Sequence, residues 1–158
     1  MKFFKIFIKF PLFLTAFTPL IISWSTIFPF VLGKTVFYRS VIEIALILFL
    51  IYLLLNLKAF KHLNFIKNPL IISLALFFIS LVVSVVLADN SYRAFWGDLE
   101  RGEGLFGMLH ALVFMFIATI IFEKKDWLIY FKISLIVGFI VIFYAILQYF
   151  GVRNFPFA

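Results

Sequence analysis

The chain has 158 residues, of which 66% are hydrophobic and 13% charged, against roughly 45–50% and about 25% in soluble domains. A globule this small leaves much of its chain at the surface, and too few polar residues are present to cover it. That excludes a soluble enzyme, a disordered protein and a nucleic-acid binder despite a net charge of +7, because in a membrane protein surplus Lys and Arg orient the chain. With no Cys, and with His62 and His110 as the only imidazoles, disulfides, thiolate catalysis and a structural zinc site are excluded too.

Mean hydropathy is +1.20, and the apolar residues fall into five runs separated by charged punctuation. A hydrocarbon core about 30 Å thick takes roughly 20 helical residues. Lipid offers a free backbone N–H no partner, so each run is expected to be helical. The predicted spans are 10–32, 36–57, 69–88, 105–122 and 127–150. The expected fold is therefore all-α, a polytopic membrane helix bundle of about five transmembrane helices forming one region over 1–158. The N-terminal MKFFKIFIKF has the basic start of a signal peptide, but the run is too long and lacks a small-x-small cleavage site, which favours an uncleaved span. Pro19 lies mid-run and is expected to kink the first helix.

Basic residues set the direction. One side receives Lys2, Lys5, Lys9, Lys58, Lys61, Lys67, Lys124, Lys125 and Lys132; the other receives Lys34, Arg39, Arg93, Arg101 and Arg153. The nine-residue side is expected to be cytoplasmic, with the N-terminus inside, a cytoplasmic loop at 58–68 and an outward loop at 89–104. All four arginines lie on the outward side. They either pair with the acidic residues there or form a site for a phosphate-bearing ligand, since guanidinium forks onto phosphate.

Charged groups inside spans are functional candidates by default. Arg39 and Glu43 stand four apart, on one helical face, as an ion pair or as a partly filled ligand site. Glu103, Gly107 and His110 also share a face, with His110 either bonded to a neighbouring helix or opening onto a polar cavity; no metal spacing is present. Ser73, Ser80 and Ser84, and likewise Ser134, Gly138 and Ala145, read as small-residue stripes for close helix packing.

The outward stretch SYRAFWGDLERGEGLFGMLH (91–110) combines Arg, acidic groups, Gly and Trp96. Arg101 precedes a predicted helix N-terminus, where free N–H groups receive anions; Asp98, Glu100 and Glu103 are close enough in sequence to neutralise it. Trp96 is suited to stacking on a sugar or anchoring in the headgroup layer.

The order FPFVLGKTVFYR (28–39), a further span, then FWGDLERGEGLFGMLH (95–110) resembles the N-terminal region of the O-antigen ligase and polymerase family. The matching residues are Gly33, Lys34, Phe37 and Arg39, with Phe95, Trp96, Arg101, Gly104 and Leu105. The resemblance implies a bacterial inner-membrane glycosyltransferase that moves a glycan from a polyprenyl diphosphate carrier to an acceptor at the outer face, without metal, nucleotide or other cofactor. It implies a bundle of ten or more helices whose catalytic Arg and His lie downstream, so this chain reads as an N-terminal part lacking the catalytic half and inactive alone. The lipid diphosphate contacts expected here are Lys34, Arg39 and Arg101, supported by Glu43, Trp96, Glu103 and His110. The expected partners are the bilayer, the carrier-linked glycan and a C-terminal half of the same protein; none is a nucleic acid. The alternatives are a transporter or flippase subunit, for which Glu43 and His110 would mark a path, and a non-enzymatic membrane scaffold.

Overall fold

The computed structural model describes residues 2–23, 28, 31–56, 69–98 and 104–150. Among these the secondary structure is helical throughout: α1 (Lys2–Leu14), a 3₁₀ segment (Thr15–Leu20), α2 (Leu32–Leu55), α3 (Pro69–Val86), α4 (Ser91–Trp96), α5 (Leu105–Ile121) and α6 (Lys124–Tyr149). Two of these, α2 with 24 residues and α6 with 26, are long and apolar enough to cross a membrane, while Ile72–Val86 and α5 are shorter apolar helices.

The first run departs most from its expected bounds of 10–32. Helix begins at Lys2, gives way to 3₁₀ geometry at Thr15 and ends at Leu20, with Ile21 extended. Pro19 has no N–H to donate and disfavours α geometry at Thr18. Thr15 and Thr18 complete the break by donating their hydroxyls to the carbonyls of Leu12 and Thr15, both at 2.7 Å. The expected kink is thus a change of helix type. The short helix α4 lies inside the 89–104 loop, where the sequence shows no periodicity to betray six residues.

Helix directions follow from which side chains meet. Glu43 bonds His110 and Phe49 meets Phe116 edge-on at 6.0 Å; the same offset in numbering makes α2 and α5 parallel. Lys9 meets Asp126 and Phe13 meets Tyr130, so α1 runs parallel to α6. Phe114 also contacts Tyr130 at 5.7 Å, and only Phe122 and Glu123 separate α5 from α6, so α6 folds back along α5. Thus α1 and α6 run one way and α2 and α5 the other.

The core lies where α1, α2 and α5 converge: Ile8, Leu12, Ala45, Phe49, Ile117, Ala118 and Ile121 are buried together with Tyr52 and Phe122. Ala45 and Ala118, both fully buried, let the two backbones approach closely. Outside this core the surface is apolar, with Ile6 and Phe10 on α1 and Leu135 and Phe139 on α6 all above 60% exposed. Water would penalise such a surface; hydrocarbon does not.

The expected small-residue stripes do not act as expected. Ser73 and Ser80 donate to carbonyls of their own helix, from Pro69 and Phe77, and are exposed. A Cβ at Gly138 would meet nothing within 4 Å, so among the described residues no helix packs there.

Candidate functional site

Two polar clusters stand out, at opposite faces of the fold. The first ties α1 to α6. Lys9 donates to Asp126 Oδ2 at 2.6 Å with both side chains largely buried. Asp126 also accepts from the Glu123 N–H at 2.8 Å, closing the capping box that starts α6. Thr15 spends its one proton on Leu12, so Tyr130 must donate in the 3.1 Å contact between the two hydroxyls. Phe13, Phe122 and Trp127 pack around this cluster. Its partners are all from the chain itself, which makes it a structural clamp. The sequence reading used Lys9 only to orient the chain and passed over Asp126.

The second cluster sits at the beginning of α5. Gly97, with φ 83°, terminates α4, a conformation suited to glycine. The turn it makes lies against Gly104, where a Cβ would come closer than 3.0 Å to the backbone of Phe95, Trp96 and Gly97. This glycine contact carries Phe95 and Trp96 onto Phe106, with ring centroids 6.0 and 5.1 Å apart. Phe106 in turn lies edge-on to His110 at 4.7 Å, and the Arg39 guanidinium carbon sits 4.9 Å from the centre of the Phe106 ring. That separation is within cation–π range.

His110 is buried, and its Nδ1 lies 2.7 Å from the Phe106 carbonyl while Nε2 lies 3.2 Å from Glu43 Oε1. Glu43 and Arg39, expected as an ion pair or a partly filled ligand site, share a face of α2 and interact electrostatically, and Glu43 also reaches across to His110 on α5. Spacing within one helix cannot reveal a partner from another. Nor does the fold bring Lys34 to Arg39's side: five residues apart on α2, they are separated by about 140° around the helix. Arg101 and Glu103 lie outside the described residues. Asp98, an expected competitor for Arg101, is held by Arg93 at 2.6 Å. Trp96 remains about half-exposed beside the cluster.

Below the cluster a cavity of about 360 Å³ opens between helices, lined by Leu46 of α2, Leu74 and Phe78 of α3, and Leu109, Leu112 and Phe116 of α5, among others. Leu109 adjoins His110 and Leu46 lies about one turn beyond Glu43, so the lining begins within a turn of the polar cluster on both helices. From Leu109 to Thr119 the lining follows α5 for about 15 Å at 1.5 Å per residue, half a hydrocarbon core about 30 Å thick. Among the described residues no group of three His, Asp or Glu is arranged to hold a metal ion. Phe106 is the member the sequence reading missed as a site residue; its position four before His110, after an aromatic pair and a glycine, was the available signal.

Compared with protein-family models, with curated proteins and with solved structures, the chain matches none.

Proposed function

We propose that this protein is a five-span membrane protein that binds a lipid with a diphosphate-type headgroup at the outer face of a bacterial inner membrane. The larger reading is the one its motifs resemble: the N-terminal region of a glycan ligase or polymerase using polyprenyl-diphosphate-linked glycans. The observation that carries the lipid reading is Arg39 lying over Phe106, one turn of α5 from Leu109, where the lining of an apolar groove begins. Guanidinium is the side chain whose fork matches phosphate oxygens. The groove suits one hydrocarbon chain, and Trp96 suits the headgroup layer. The opposed directions of α1 and α6 against α2 and α5 fit a five-span arrangement, and the Lys-rich side supports a cytoplasmic N-terminus. Neither Lys34 nor Glu43 is needed as a direct headgroup contact in this reading.

Native mass spectrometry of the protein released from membranes tests this. Phosphorylated isoprenoid lipid should be retained by the wild type and lost on Arg39→Ala, which removes the head contact, and on Leu112→Trp, which fills the groove. Equal retention of ordinary phospholipid by all three would refute it.

A further inference from the structure

Charge is shared unequally between the two sides of the chain. The five basic residues predicted on the outward side are matched by five acidic ones: Glu43, Asp89, Asp98, Glu100 and Glu103. The nine lysines of the other side are met by two, Glu123 and Asp126, so the whole surplus of seven charges lies there. Both of those carboxylates are engaged, Asp126 by Lys9 and Glu123 by Lys125. None of the ion pairs among the described residues includes Lys132.

Lys132 is exposed and lies six residues past Asp126, about 9 Å farther along α6 at 1.5 Å per residue. At about 100° per residue it stands about 120–160° round the helix from Asp126, Tyr130 and Val137, which face the bundle. In a helix long and apolar enough to cross a membrane, that side meets lipid. Leu128, Leu135 and Phe139 flank it there, each more than half exposed. An ammonium in hydrocarbon is costly, and a lysine stem bends to carry it to the interface. Helical side chains lean toward the helix start, which brings Lys132 back over Leu128 toward Lys125. Lys125 is seven residues earlier, about 20° away on the same face. We propose that Lys125 and Lys132 hold the headgroup of an anionic phospholipid, its chain lying along Leu135 and Phe139, in the leaflet at the lysine-rich end. The site is separate from the diphosphate site and requires only that α6 cross the bilayer. A second copy is the poorer occupant, because packed in parallel it would set Lys132 against lysine, and like charges repel.

The test compares wild type, Lys132→Leu, Lys132→Arg and Lys5→Leu in nanodiscs of phosphatidylglycerol and phosphatidylcholine in equal parts, with retained lipid counted by native mass spectrometry. Lys5→Leu removes the same charge from α1 at the same end, so unspecific attraction would weaken equally in both leucine variants. Lys132→Leu should cut the preference for phosphatidylglycerol about fivefold, the contribution of one lysine near an anionic surface. Lys5→Leu should leave the preference nearly unchanged, and Lys132→Arg should keep it because the charge stays. Leucine makes the span more apolar, so Lys132→Leu does not put the fold at risk. A phosphatidylglycerol carrying a photoreactive group in its chain gives a second readout. It should label α6 between Leu128 and Phe139 in wild type and in Lys132→Arg, and not in Lys132→Leu. Equal losses in Lys132→Leu and Lys5→Leu, or a wild type without preference, would overturn the site. So would a protein dimer that separates on Lys132→Leu, since the partner of Lys132 would then be another chain.

Discussion

Replacing Lys9 with Met isolates the energetics of the α1–α6 clamp. The ammonium is 16% exposed and the Asp126 carboxylate 8% exposed, at 2.6 Å, so the variant leaves a nearly buried carboxylate without its cation. Breaking a buried pair from one side costs about 3–5 kcal/mol. Asp126 keeps its bond from the Glu123 N–H, which moves the expected loss to the lower part of that range, about 3 kcal/mol. Asp126→Asn retains an oxygen for the cap and leaves Lys9 free to extend toward the headgroups, so its loss should be smaller, about 1–2 kcal/mol. The double variant should fall short of the sum by about 1–2 kcal/mol, the coupling of groups in contact. Lys125→Met is the control: its pair with Glu123 is 72% and 62% exposed, so less than about 1 kcal/mol is expected. Reversible unfolding in mixed micelles, monitored by far-ultraviolet circular dichroism, supplies the cycle. Additive effects, or a Lys125→Met loss equal to that of Lys9→Met, would refute the clamp.

Other expectations are read in the same way. Gly104→Ala should destabilise by about 1–3 kcal/mol through overpacking against the α4 turn and should change the emission of Trp96, whereas Gly138→Ala, with open space around it, should be neutral or stabilising by up to about 1 kcal/mol; equal effects at the two glycines would contradict the packing described. A single cysteine at Ser91, in a chain that has none, should react with an impermeant maleimide on intact cells, and labelling by a permeant reagent alone would reverse the topology.

Helix positions were legible because apolar runs and charged breaks are local properties. The bounds of α2, α3, α5 and α6 fall within four residues of the runs that predicted them. The first helix was misjudged because its three N-terminal lysines were taken as flanking charge, when a helix can carry Lys9 inward if a carboxylate waits on α6. Arg39, Glu43, Trp96 and His110 were visible as unusual residues for their setting, and three of them gather around Phe106. What joins them was not legible: the Glu43–His110 bond crosses 67 positions, and the groove exists only once α3 lies beside α2 and α5.

The most direct test of the lipid-headgroup site is the ratio of farnesol to farnesyl diphosphate dissociation constants for wild type and Arg39→Lys in nanodiscs, at low and moderate salt. A forked guanidinium distinguishes itself from a point charge by geometry. The wild type should favour the diphosphate by at least about tenfold, the equivalent of about 1.4 kcal/mol, and Arg39→Lys should lose most of that preference while farnesol binding stays level. A wild type that does not discriminate, or an Arg39→Lys variant that discriminates as well as the wild type, would contradict the site.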